Sequence, residues 1–188
     1  MSSDLARTLR RLKPEKRRQP LRPRAASHLP FVDPASPLPR KLLYDTTVYV
    51  DILQGRFPAD AEIALRSAEA WHSTVTEAEL IALCGLLDPA HPATGSTLRP
   101  ILAVIEHRPA HRTIAPDRET WREAGLLSGI LARLQTYGKA ERRRTLNDAL
   151  LFASARKHGL TVLTRNTSDF DLLQQLDPTG RILFYQRS

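Results

Sequence analysis

From residue 41 onward the chain alternates short apolar runs with longer amphipathic stretches, and this alternation constrains the fold more than any other feature. The apolar runs at 41–44, 73–75, 112–114, 160–163 and 182–185 have strand length and composition. Between them the spacing predicts helices over 47–53, 60–71, 77–87, 93–107, 116–134, 147–158 and 168–176, with a polar, basic loop over 137–144. In the 60–71 stretch Ile63, Leu65, Ala68 and Trp71 are available for burial, and Cys84 sits among apolar neighbours as a core residue. Strands that alternate with helices argue for an α/β fold with a mainly parallel sheet covered on both faces. Ligands of such sheets gather at the carboxyl ends of the strands.

Acidic residues fall at those ends. Asp45 closes the run Lys41-Leu42-Leu43-Tyr44, and Asn166 and Asp169 follow the fourth strand. Thr76-Glu77-Ala78-Glu79 reads as a capping box that would put Glu79 at the third helical position after the second strand. Asp148 lies in Leu146-Asn147-Asp148-Ala149-Leu150, at the start of another expected helix. Glu79, Asp148 and Asp169 taken singly could each serve only as a helix cap or first-turn acid, favoured by unpaired amides and the helix dipole, while Thr46 is the expected cap of the helix after Asp45. Capping does not require several acids to share one sheet edge. Converging carboxylates repel one another unless a cation sits between them, and oxygen donors suit a hard divalent ion. Such an ion acidifies a bound water and offsets charge on a phosphoryl group, so the chemistry that fits is phosphodiester hydrolysis. His28, His72, His91, His107, His111 and His158 show no ligand spacing, and the chain has neither a Gly-rich phosphate loop nor a Gly-x-Ser-x-Gly elbow.

Composition separates off the N-terminus. Of 28 basic and 20 acidic residues, eleven basic ones fall in 1–41 against Asp4, Glu15 and Asp33, which accounts for the whole net charge of +8. Half of the 14 prolines lie in the same segment, and large apolar residues there follow no pattern. Residues 1–40 are therefore expected to form a largely disordered basic arm, with a short helical turn around 4–13, ahead of a folded domain over 41–188. Such arms bind nucleic acid through phosphates or simply confer solubility. One cysteine excludes an internal disulfide, and no apolar run approaches the ~20 residues of a membrane span, so a cytoplasmic protein without a membrane partner is expected.

The frame around Asp45, Thr76-Glu77-Ala78-Glu79-Leu80, Asn147-Asp148-Ala149-Leu150 and Val162-Leu163-Thr164-Arg165-Asn166 followed by Asp169-Phe170 together resemble PIN-domain proteins, in particular VapC-type toxins of bacterial toxin–antitoxin pairs. The resemblance runs from about residue 41 to 186, and its most specific part is 147–170. It implies a three-layer α/β/α sandwich and a Mg²⁺- or Mn²⁺-dependent endoribonuclease that acts on RNA, pairs as a homodimer and is blocked by a cognate antitoxin. By position, Asp45, Glu79 and Asp148 match the family's metal-binding acids, whereas Glu77 stands where relatives carry an apolar residue. The fourth position stays open between Asn166, where many relatives carry aspartate, and Asp169, or a water. The expected catalytic and metal-binding set is thus Asp45, Glu79, Asp148 and Asp169, supported by Thr47, Thr164 and Asn166. Thr47 replaces a common asparagine. Arg142, Arg143, Arg144 and Arg165 are the candidate RNA contacts, with Lys139 beside them, and their alternative is a solvated loop. The antitoxin groove is expected on the 60–71 and 77–87 helices. Competing readings are a catalytically degenerate PIN-like RNA-binding module working through its basic arm, and a receiver-type regulatory domain. The receiver reading is weakened by the late positions of Asp148 and Asp169.

Overall fold

The computed structural model describes residues 3–66 and 68–187, apart from the side chains of Ser3, Asp60, Ile63 and Ala64, so the expected burial of Ile63 lies outside the described residues. Strands β1 (Lys41–Tyr44), β2 (Glu69–Ser73), β3 (Thr113–Ile114), β4 (Thr161–Thr164) and β5 (Arg181–Phe184) form a sheet in the order β3-β2-β1-β4-β5. Every pairing in it is parallel.

The side-chain alternation of a strand builds two cores. Leu43, Val162 and Ile182 face α6 (Arg118–Leu134), α7 (Lys139–Lys157) and α8 (Thr167–Leu176), packing with Leu127, Leu131, Phe152 and Phe170. Leu42, Leu163 and Leu183 face the other way, toward Val48 of α2 (Thr46–Leu53), Leu65 of α3 (Ala59–Leu65) and Tyr185. All four β4 residues are buried, as both-face coverage requires. A third cluster joins Tyr49 and Leu80 to Ile101, tying α2 to α4 (Thr74–Gly85) and α5 (Thr94–Glu106). The three-layer α/β/α sandwich is the architecture.

Three local expectations are corrected. The stretch 60–71 does not stay helical: α3 stops at Leu65 and β2 begins at Glu69, with Leu43 opposite Trp71 in the ladder. Leu65, Ala68 and Trp71 mimic helical spacing, but Trp71 packs on the first core from a strand, with the Lys41 ammonium 5.6 Å from its ring centroid. The expected strand at 73–75 is instead the end of β2 and the start of α4, which Ser73 caps by accepting from Val75 N at 3.2 Å. Glu79 is therefore in the second turn of α4, and Thr76 turns its hydroxyl to the Tyr44 carbonyl at 3.4 Å. Finally, the basic loop over 137–144 is mostly the first turns of α7, so Asp148 sits in mid-helix rather than at a helix start.

The basic segment contributes helix α1 (Ser3–Leu12), over the residues where a helical turn is expected. Leu12 is buried in the larger core, and the segment lies along α6 and α8 through side chains that meet buried acids. Arg11 pairs with Glu123 at 2.8 Å and Asp177 at 3.0 Å, Arg24 meets Asp171 at 2.5 Å, and Arg17 donates to the Leu176 carbonyl at 3.0 Å. Beyond them, Val32 N bonds Phe184 O at 2.7 Å and Phe184 N bonds Pro30 O at 2.8 Å, covering the outer edge of β5.

Candidate active site

The strand order reverses direction at β1 and β4, which makes the gap past their carboxyl ends the natural ligand crevice. Asp45 ends β1 there and caps α2, its Oδ1 accepting from Thr46 N at 2.7 Å. Its Oδ2 accepts from both Thr47 Oγ1 and Thr164 Oγ1, each at 2.7 Å. The two threonines thus fix the carboxylate from α2 and from the end of β4. Burial pushes the Asp45 carboxyl up from its ordinary range, even against these hydrogen bonds.

Glu79 reaches the same place from α4. Its two oxygens accept from Thr46 Oγ1 and, at 2.8 Å, from Asn147 Nδ2, and burial holds its carboxyl above the usual range. Asp148 comes from α7, one residue after that asparagine. The turn after β4 supplies Asn166, which caps α8 by accepting from Asp169 N at 3.2 Å. The Asn166 amide donates to Asp148 Oδ2 at 3.3 Å and to Asp169 Oδ2 at 3.1 Å, so one side chain spans both acids.

The two bridged acids differ in compensation. Asp169 also faces Arg144 Nη2 at 3.2 Å and the Tyr137 hydroxyl at 3.4 Å. Asp148 is buried with the Asn166 amide as its hydrogen-bond partner, and its carboxyl is pushed well up, first by burial and then by the charges of Asp45, Asp169 and Glu79. Carboxylates that raise one another's proton affinity lie close enough to feel each other's charge, and a cation would relieve that repulsion. The donor set is wholly oxygen, which fits a hard divalent ion. Among the described residues, no three His, Cys, Asp or Glu side chains already stand as a metal-holding group.

The arginines divide. Arg144 touches the acid cluster, Arg142 donates to the Tyr137 carbonyl at 2.9 Å, and Arg143 and Lys139 are exposed on the same first turns of α7. Arg165 instead gives its Nε to Asp51 Oδ2 at 2.7 Å. Asp51 stands outside the expected set. It is fully buried and also accepts from Tyr185 Oη at 2.8 Å and Arg187 Nε at 2.8 Å. The available signal is its place one helical turn after Thr47, on the face of α2 that turns inward. Asn147, Tyr137 and Arg187 are likewise absent from the expected set.

Comparison with known proteins agrees with this architecture. The PIN-domain family model matches residues 42–174. No curated protein matches the chain. Among solved structures, DNA-bound VapBC from Salmonella typhimurium aligns with a TM-score of 0.55 at 21% identity, over 77% of this chain and 97% of that one. FitAcB from Neisseria gonorrhoeae aligns at 0.53 and 22% identity, over 76% and 96%. VapBC-5 from Mycobacterium tuberculosis aligns at 0.50 and 20% identity, over 79% and 99%. At these identities the neighbours speak to the fold, and the family model, which covers most of the sequence, decides membership: the chain belongs to the PIN-domain family of nucleases.

Proposed function

We propose that the chain is a divalent-metal-dependent endoribonuclease, the toxin of a toxin–antitoxin pair, with its nuclease unit in 41–188 and 1–40 as an appendage. The observation that carries this reading is the gathering of Asp45, Glu79, Asp148 and Asp169 around Asn166 and Thr164 at the carboxyl edge of the sheet. Those four acids would hold Mg²⁺ or Mn²⁺, with Asn166 either orienting Asp148 and Asp169 or lending its own oxygen. When bound, the ion lowers the pKa of a water and counters charge on the phosphoryl group.

The chain's own residues supply orientation. Thr47 and Thr164 hold Asp45, Thr46 and Asn147 hold Glu79, and the Asn166 amide bridges Asp148 and Asp169. Arg144, and beside it Arg142 and Arg143, would meet the phosphates that flank the cut, and Arg165 would do so from the other side.

One surface of the fold would suit an antitoxin partner. Between α2, α4 and α5 lies a cavity of about 500 Å³ lined by Leu53, Leu80, Leu83, Leu86 and Ile101, of which Leu83 and Leu86 are exposed. An amphipathic helix of an antitoxin would seat there. Such a groove would share α4 with the one expected from the sequence, and would take α2 and α5 in place of the stretch 60–71. VapBC-5 is described as a member of a family of toxin–antitoxin systems, and the Salmonella structure shares the VapBC name, which supports this assignment. Pairing into a homodimer in a cytoplasmic setting belongs to the same proposal. No helix among the described residues is long and apolar enough to cross a membrane.

The test is cleavage of single-stranded and structured RNA by purified protein with Mg²⁺ or Mn²⁺, and its loss in EDTA. Asp45→Asn and Asp148→Asn should each lower the rate at least 100-fold while the protein stays folded. Cleavage that persists in EDTA, or at full rate in both variants, refutes the reading.

A further inference from the structure

Beside Glu79 the fold leaves a second cavity of about 370 Å³. Its walls come from α4, the turn after β3, α6 and α7. Val75, Ala78 and Ala82 belong to α4, Ala115 and Pro116 follow β3, and Trp121 lies in the first turns of α6. Glu79 and Asn147 complete the wall, so the cavity and the acid cluster share side chains. Trp121 is 50% exposed, an unusual placement for the largest apolar side chain, since full burial would recover most of its transfer free energy. The volume lies at the small end of the ~300–1,000 Å³ typical of ligand pockets.

We propose that this cavity seats one unpaired base of the RNA substrate, next to the phosphate that is cut, with Trp121 as its stacking platform. The inference rests on the nuclease reading and adds to it a seat for one unpaired base, built around Trp121. Three features select a base over another occupant. The cavity is continuous with the carboxylate cluster, and a nucleotide carries its base one sugar away from its phosphate. The lining is mostly apolar and includes an indole, as stacking asks, with few polar groups to demand a particular partner. Those polar groups, the Asn147 amide and the Glu79 carboxylate, already bond each other at 2.8 Å, and Thr74 is left at the rim. Recognition there is accordingly tolerant of base identity, because every base offers a π-face.

The chain has two tryptophans, so Trp71→Phe leaves Trp121 as the sole indole reporter. In that background, with Asp45→Asn added to prevent cleavage, the protein is titrated with oligouridylate, oligoadenylate and an abasic ribose-phosphate oligomer of equal length. Both base-bearing oligomers should quench Trp121 emission and bind about 5- to 100-fold more tightly than the abasic one. Trp121→Ala should erase that difference and lower kcat/KM for RNA by a similar factor, whereas Trp121→Phe should retain most of both. Equal binding of base-bearing and abasic oligomers, or an unmoved Trp121 emission, overturns the pocket. RNA cleavage that continues unchanged in Trp121→Ala does the same while leaving the nuclease reading intact. Base-dependent quenching in a protein that never cleaves RNA has the opposite effect: it supports the pocket and sinks the nuclease reading. Quenching by an antitoxin peptide in place of RNA would overturn the pocket as a base site.

Discussion

At the residue scale, Asp148 is the acid least compensated by the protein around it. Its carboxyl is raised by burial and by three neighbouring acids, so the folded chain holds that proton more tightly than the unfolded chain does. The stability that this provides is present below about pH 4 and is lost as pH rises through the folded-state value, so at neutral pH the ionised group costs stability. Asp148→Asn is therefore expected to melt several degrees above the parent at pH 7 in EDTA, and the gap should shrink toward pH 4, as calorimetry in matched buffers would measure. Adding Mg²⁺ should favour the parent instead, because a ligand bound to the native state stabilises it. Asp45, Glu79 and Asp148 were legible in the sequence because each stands in an apolar frame, where a lone charge needs a reason. Their roles as caps were not. Asp45 does cap a helix, but Glu79 lies in a second turn and Asp148 in mid-helix, so neither needs to be acidic for the helix's sake. Asp51, Asn147 and Tyr137 stayed hidden since their partners are distant in sequence and become visible only through the fold.

At the scale of elements, the strand–helix alternation carried the topology, and its errors came where one periodicity passed into another. Residues 65–71 satisfy helical spacing, yet β2 claims Glu69 onward because β1 needs a parallel neighbour, and the Glu69 amide bonds the Arg40 carbonyl at 2.7 Å as the ladder opens. Such a choice is made by tertiary pairing, which local propensity does not record. The Asp51 node shows elements held by a side chain. It joins α2 to the turn after β4 through Arg165 and to the chain after β5 through Tyr185 and Arg187. Burial raises the Asp51 carboxyl, but bonds from Tyr185, Arg165 and Arg187 outweigh it and leave the net shift downward. Stability from this group is thus present above about pH 4 and is lost as pH falls through its lowered value. Asp51→Ala should cost about 2–4 kcal/mol, since it strands two arginines around an emptied site. It should also weaken RNA binding by freeing Arg165, which urea unfolding and filter binding would separate. Unchanged stability would mean that the node is ornamental.

At the scale of the molecule, the question is what the first forty residues are to the rest. Their composition, proline-rich and basic with no apolar pattern, describes a segment unable to order itself. The structure shows where order could be borrowed: Glu123, Asp171 and Asp177 are buried acids of the body, and Arg11 and Arg24 are among the cations that meet them. Arg156 shares Glu123 and Asp177 from within α7, whereas the remaining hydrogen-bond partner of Asp171 is Gln175 Nε2 at 3.0 Å. Removing 1–40 would leave Asp171 buried without a cation, expose the contact between Phe31 and Phe184, and uncover the β5 edge. Breaking a buried pair by deleting one partner costs about 3–5 kcal/mol, and open strand edges invite association. A chain of 41–188 should accordingly melt about 6–15 °C below the full chain and aggregate sooner on heating. Asp171→Asn in the full chain should reproduce less than half of that loss, because it leaves Arg24 unpaired but keeps the other contacts of 1–40. Equal melting temperatures for the two chains would instead mark 1–40 as an independent disordered arm. Its charge would then be free for RNA, and the salt dependence of RNA affinity should flatten on deletion by close to one phosphate contact per lost cation that binds. If the arm is docked, Arg11, Arg17 and Arg24 are already engaged and the slope should change by less than the ten basic residues of 1–40 would allow. Melting and salt titration of the same two chains therefore give one answer twice, and they must agree.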